Sequence, residues 1–162
     1  MKKLVILLVL VLVMTGCSSV ETFEKIEDVY SPQENVTPAK ISILLPEEGA
    51  IAVMEGETGK IYLCSDFDVT LQTLPAGDIA QTMKELTGYA KDELMVMQTM
   101  AGSLKKYESV WSGLGEEGEQ VGRLIILDDG NYHYCLTVMS AAENAGSLQA
   151  QWQAVIDSFM IA

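Results

Sequence analysis

Between two long apolar runs, Leu124-Ile125-Ile126-Leu127 and Tyr132-His133-Tyr134-Cys135-Leu136-Thr137-Val138, stands the tetrapeptide Asp128-Asp129-Gly130-Asn131. Asp, Gly and Asn accept positive φ at little cost, so a tight reversal is expected and the two runs become antiparallel neighbours. This feature commits the second half of the chain to a sheet. The remaining elements must extend that sheet or cover its faces.

Upstream, Ile41, Ile43 and Leu45 alternate with Ser42 and Leu44 until Pro46 stops the ladder, and Ala50 to Met54 forms a second short apolar run. Glu55-Gly56-Glu57-Thr58-Gly59 is turn chemistry. Ile61 to Cys64 follows, and then Phe67, Val69, Leu71 and Thr73 alternate with Asp68, Thr70 and Gln72, so the first half reads as a meander. Asp78 stands where an N-cap belongs, with Ile79, Met83 and Leu86 at helical spacing until Gly88 ends the run. Lys91 to Gly102 fits two elements: Leu94, Met97 and Ala101 suit a helix, while Leu94 to Met97 suits a buried strand. Tyr107, Ser109 and Trp111 then alternate with Glu108 and Val110, Gly113 to Gly118 is expected to be a loop, and Val121 to Leu127 a strand. A final helix from about Ala145 to Phe159 carries Leu148, Trp152, Val155, Ile156 and Phe159 as an apolar stripe, with Gln149, Gln151, Gln153 and Asp157 opposite.

The chain has 162 residues, a one-domain length, and 49% hydrophobic with 20% charged residues is ordinary globular usage. A net charge of −13 leaves no Lys/Arg surplus to displace phosphate counterions, which argues against nucleic acid as a partner. One histidine and three cysteines are too few for a closed zinc site or a disulfide-dense scaffold.

Lys2 and Lys3 precede an apolar run from Leu4 to Met14. At about 1.5 Å per residue this run reaches roughly half of a ~30 Å hydrocarbon core, too short to span it. A basic start, a short apolar core and then small residues is the pattern of a signal peptide. Met14-Thr15-Gly16-Cys17 resembles the bacterial lipobox, which implies a diacylglyceryl group on the Cys17 thiol and cleavage after residue 16. Met14 departs from the Leu usual at the first position of that box. The alternative for Cys17 is an incidental cysteine behind an ordinary secretory signal or an uncleaved short anchor. The expected division is a signal peptide over 1–16, a lipid-anchored acidic tether over 17–39 and a single domain over 40–162. Within the tether, Val20, Phe23, Ile26 and Tyr30 also approximate a helical stripe. Acyl chains would hold the domain at a membrane, and its negative charge would keep it off anionic headgroups. Whether that membrane is inner or outer is left open by the sequence.

With Ile41-Ser42-Ile43-Leu44-Leu45-Pro46, the hairpin strand Asn131 to Ser140 and the closing stretch Gln151 to Ile161, the order of elements resembles the PsbP-like lipoproteins, relatives in fold of the Ran-binding Mog-type proteins. The resemblance rests on pattern and covers most of residues 40–162. It implies an α+β fold, an antiparallel β-sheet flanked by helices in an α/β/α sandwich. It also implies an extracytoplasmic, non-enzymatic protein of the cell envelope that acts by binding partners.

His133 is the only imidazole, so any acid–base role would fall to it. In an alternating strand it shares a face with Cys135, about 6–7 Å away, too far for direct proton transfer. The expected role is therefore that of a surface or hydrogen-bonded strand histidine, with no catalytic residue. Cys64 and Cys135 remain as an even pair, open to a disulfide or to two buried thiols. Met95, Met97 and Met100, with Met83 nearby, suggest core packing or a Met- and aromatic-lined cleft for a small apolar ligand, the alternative function to an interaction domain. No Cys or His accompanies them, so neither a metal nor any other cofactor is expected. The acid pairs Glu47/Glu48, Asp66/Asp68, Glu116/Glu117/Glu119 and Asp128/Asp129 read as solvated turns, since no twelve-residue calcium loop accompanies them.

Overall fold

The computed structural model describes residues 36–46, 50–56, 59–115 and 118–161. Cys17, the signal peptide, most of the tether and the acid pair Glu47/Glu48 lie outside the described residues, as do Glu116 and Glu117. The strands are β1 (Ile41–Ser42), β2 (Ile51–Glu55), β3 (Gly59–Leu63), β4 (Asp68–Pro75), β5 (Met95–Ala101), β6 (Leu104–Gly115), β7 (Gly118–Asp128), β8 (Tyr132–Ala141) and β9 (Met160–Ile161). The helices are α1 (Ile79–Thr87), between β4 and β5, and α2 (Ala142–Ser158), between β8 and β9. Seven strands form one sheet in the order β2-β3-β4-β8-β7-β6-β5, with every neighbouring pair antiparallel. With a helix on either face, this is the expected α+β sandwich.

The reversal at 128–131 is built as its residues require. Asp128 Oδ1 accepts from Gly130 N at 2.8 Å, Asp129 Oδ1 accepts from Asn131 N and Tyr132 N, and Gly130 sits at φ 94°, where a side chain is strained. The register then sets the faces. Ile125, Leu127, Tyr134, Leu136 and Val138 point to one side, with Phe67, Val69 and Leu71 of the β4 region, and meet Leu148, Trp152, Val155 and Ile156 of α2. Leu124, Ile126 and Cys135 point to the other side and meet Met83 of α1 and Tyr107 of β6. α1 is closed at both ends, by Asp78 Oδ1 accepting from Ala80 N at 2.9 Å and by Gly88 at φ 81°, whose N–H reaches Lys84 O.

Three expectations change. The ambiguous stretch becomes β5 from Met95, paired residue for residue with β6, because Val96 and Leu94 pack toward α1 and no second helix is needed there. The loop expected over 113–118 is instead strand on both sides, since β6 runs to Gly115 and β7 begins at Gly118 in direct pairing. Ile41, Ile43 and Leu45 do alternate inward, but only Ile41–Ser42 is a strand, and it pairs with β9 outside the main sheet. Leu44 N donates instead to Ser158 Oγ at 2.8 Å, fixing this extended segment beside the end of α2.

The last residues of the expected tether, Val36 to Ala39, are held on the domain. Tyr132 Oη donates to Val36 O at 2.6 Å, and Ala39 N donates to Tyr134 Oη at 3.0 Å. The folded unit therefore starts a few residues before Lys40.

Candidate functional site

The α2 side of the sheet is only partly covered. Seven strands at about 4.8 Å spacing make a face roughly 29 Å wide, whereas a helix about 10 Å across and one extended segment cover little more than half of it. α2 lies over β7 and β8, and the 36–45 segment packs on the same core. β5 and β6 are left open there along Met95–Met97 and Val110–Leu114, while Ala101 and Leu104 at their other end pack against this core. By the alternation of β6 and its register with β5, Val110, Leu114, Met95 and Met97 all project from this open side. Their exposure is 55%, 89%, 88% and 55%, with Met95 directly opposite Val110, an exposed apolar margin of the kind that marks interaction surfaces.

Between this margin and α2 runs a groove of about 680 Å³, floored by Val110, Val121 and Arg123 and walled by Ala145, Gln149 and Trp152. Arg123 Nη1 donates to Gln153 Oε1 at 3.0 Å, and Gln153 Nε2 donates to Asp157 Oδ1 at 2.7 Å, so the guanidinium is tied along the helix wall. Trp152 is buried, yet its Nε1 has no hydrogen-bond partner among the described residues. A buried donor without an acceptor costs about 1–3 kcal/mol. The groove thus offers apolar walls and one cation, which suits an apolar group carrying an acceptor.

The residues with reactive side chains, His133, Cys64 and Cys135, are placed elsewhere and are quiet. His133 lies on the α1 side, buried, with Nδ1 2.9 Å from Thr82 Oγ1. Burial lowers its pKa below the ordinary 6.5, with Asp128 and Asp129 pulling it back up and Lys105 pushing it down. Burial pushes the Cys135 thiol up to about 12, and its Sγ–H points at His133 O at 3.7 Å, so it is no nucleophile near neutral pH. Cys64 packs with the α2-side core and Cys135 with the α1-side core; both are free thiols, which removes the disulfide alternative. Burial, with Asp68 adding to it, raises the Cys64 pKa as well.

The methionines do not assemble into a cleft. Met83 is buried on the inner side of α1, while Met95 and Met97 are exposed on the opposite face of the sheet. Among the described residues no group of three or more His, Cys, Asp or Glu side chains is placed to hold a metal ion. The sequence pointed to Met95 and Met97 but not to Val110, Arg123 or the α2 wall. Those residues come together only through pairing between strands, and the one available signal was an apolar Leu114 and Val110 on the polar side of an alternating strand.

No protein-family model matches the chain, and no curated protein matches it in sequence. Solved structures do match in fold. Cyanobacterial PsbP from Synechocystis is 9% identical with a TM-score of 0.53, over 78% of this chain and 95% of that one. The Ran-binding protein Mog1p from Saccharomyces cerevisiae is 11% identical with a TM-score of 0.50, over 75% and 89%. A protein from Bacteroides thetaiotaomicron is 15% identical with a TM-score of 0.51 over 75% of this chain, which spans only 45% of that protein's length. The fold is PsbP/Mog1-like.

Proposed function

We propose that this chain is a non-enzymatic binding or interaction domain of the bacterial cell envelope, held outside the cytoplasm by a lipid on Cys17. The signal peptide is 1–16, the acidic tether follows, and the folded domain comes after it. The observation that supports binding above all is the open apolar margin of Met95, Met97, Val110 and Leu114 beside the groove, on a fold that includes a protein named for binding Ran. The buried, hydrogen-bonded His133 and the unreactive Cys135 favour a role without catalysis. Anchoring rests on Lys2, Lys3, the short apolar run and Thr15-Gly16-Cys17. No described helix is long and apolar enough to cross a membrane.

The test is metabolic labelling of the full chain with radioactive palmitate, followed by separation of membrane and soluble fractions. The parent chain should carry label and sediment with membranes. Cys17→Ser should lose both, and label that persists in Cys17→Ser would sink the anchor.

A second function is favoured by one observation, the groove itself, about 680 Å³ lined by Val110, Val121 and Trp152 with the Arg123 guanidinium beside them. On this account the protein carries a small apolar ligand bearing an acceptor group, in the groove rather than among the methionines. Native mass spectrometry of protein purified from its own host decides it. A reproducible mass excess supports carriage, and the bare calculated mass counts against it.

A further inference from the structure

The uncovered strip beside α2 has the dimensions of one more helix. α2 runs over β7 and β8, and the middle of the β5–β6 pair lies two strands away, about 10 Å, which matches the distance between the axes of packed helices. A helix laid there would rest on Met95, Met97, Val110 and Leu114 and close the groove over Val121 and Arg123 at the same time. From Glu108 to Leu114 the strip runs about 20 Å, the length of about thirteen helical residues. By the alternation of the strands, the charged side chains on this face of β5, β6 and β7 are Lys106, Glu108, Glu119 and Arg123, two of each sign, with Lys106 and Glu108 paired to one another. The strip therefore lacks the excess of acid that marks the chain as a whole.

We propose that the occupant of this strip is the chain's own segment 20–30, docked as a helix along β5 and β6 beside α2. The residues around it carry helix signals at both ends: Ser18 with Glu21 three positions on is a capping box, and Pro32 stops a helix at or before Ser31. On that helix Phe23, Ile26 and Tyr30 form one stripe with Val20 at its border, and Glu21, Glu24, Lys25 and Asp28 fall on the opposite face, toward solvent. Glu27 borders the stripe and supplies a carboxylate for Arg123, the cation of the groove. The chain also enters the domain on the right face and close enough. Val36 O is held by Tyr132 Oη, among the residues that pack on the α2-side core. The near end of the strip, Met97 opposite Glu108, is four residues along and two strands across from Tyr132, roughly 16 Å. The six steps from Tyr30 to Val36 reach up to about 20 Å. A segment tethered so closely sees the strip at an effective concentration of about millimolar, which no free partner of equal affinity matches. The docking goes beyond the binding role proposed above and needs neither the lipid on Cys17 nor a foreign protein. A partner that takes the margin has first to displace the segment.

The test is oxidation of the full chain in detergent by limiting hydrogen peroxide, followed methionine by methionine through peptide mass spectrometry. Met100, on the same strand but the other face, and Met54 on β2 are also exposed and serve as references. In the parent, Met95 and Met97 should oxidise about five- to tenfold more slowly than these references, because reactivity follows exposure. Phe23→Asp combined with Ile26→Asp lies outside the folded domain and should bring Met95 and Met97 up to the reference rate in the same detergent. A cross-link then locates the segment. Ile26→Cys with Val110→Cys should be joined within one chain by a short bismaleimide, in higher yield than Ile26→Cys with Val53→Cys on the far edge, the linked peptides being identified by mapping. Met95 and Met97 reacting in the parent as fast as Met100 and Met54 overturns the proposal. So does protection that survives in the Phe23→Asp, Ile26→Asp variant, which would mean that something else covers the strip. A cross-link to Val110→Cys no better than to Val53→Cys, or one that joins two chains in place of one, overturns it as well, the latter making a second copy the occupant.

Discussion

The centre of the sheet and its β5–β6 margin are made of the same residue classes, yet they live under different constraints. At the centre, Val69, Leu136 and Val138 are sealed beneath α2 and its neighbouring segment, while Ile126 and Cys135 are sealed beneath α1. At the margin, Val96 and Tyr107 still face the α1 core, but Met95, Met97, Val110 and Leu114 face nothing on the α2 side. Exposure here is a property of what lies above the strand and not of the strand itself. A single seventeen-residue helix, about 25 Å long and about 10 Å across, is shorter than the long central strands and too narrow to span seven of them. The stable half of the molecule and the available half therefore share one hydrogen-bonded sheet.

Truncation should separate the two regions most sharply. Trp152→Ala removes the largest anchor of α2 from the central core and should cost about 3–5 kcal/mol by urea denaturation, enough to threaten folding. Met97→Ala at the margin should stay within about 0.5 kcal/mol of the parent. Equal losses at the two sites would dissolve the contrast.

Overpacking tests where the margin begins. Gly122 of β7 lies under the Trp111 ring of β6, and a Cβ there would stand 2.5 Å from its ring carbons. Gly122→Ala should cost about 1–3 kcal/mol and shift the tryptophan emission as the ring is displaced from its place near Tyr89. An unshifted spectrum would mean that this close approach holds nothing in place. On the other helix, Asp78→Ala leaves Ala80 N without its acceptor and should lower stability by about 1 kcal/mol. Asp78→Ser should restore most of the loss, which distinguishes the cap from general charge.

The mildest perturbation is acid. The pKa of His133 is lower in the folded chain than its unfolded value near 6.5, so the unfolded state takes up the proton first. Its contribution to stability is complete above pH 6.5, erodes as pH falls below that value, and is fully lost once pH has passed the lowered folded value. Thermal melts of the parent and of His133→Gln between pH 7.5 and 4.5 measure the difference. The parent should lose more than the variant over that interval, and parallel melting curves would remove His133 as the source.

Much of the central architecture was legible in the residues. The reversal at Asp128–Asn131, the cap at Asp78, the stop at Gly88 and the stripe Leu148-Trp152-Val155-Ile156-Phe159 all appear where the chain placed them. These signals are local, because turn chemistry and amphipathic spacing act within a few residues. The margin was harder to read. Met95 to Met97 carries no alternation strong enough to separate strand from helix, and the choice was made by Val96 and Leu94 packing on the cluster of Met83 and Tyr107, on the elements before and after them. Gly113 and Gly115 looked like a loop, yet they continue β6 because Gly118 to Gln120 pairs alongside them.

By itself, then, the sequence determined the reversal, both helices, the alternation that gives each strand two faces, and the acidic charge that argues against a nucleic acid partner. Tertiary structure alone decided that Cys64 and Cys135 lie on opposite sides of the sheet, that His133 is sealed against Thr82, and that Ile41 pairs with Ile161. It also decided that β5 is an open edge beside a groove. The reason is one of range. Backbone propensity and side-chain period are set by near neighbours, whereas which face is covered depends on how many strands one helix can reach.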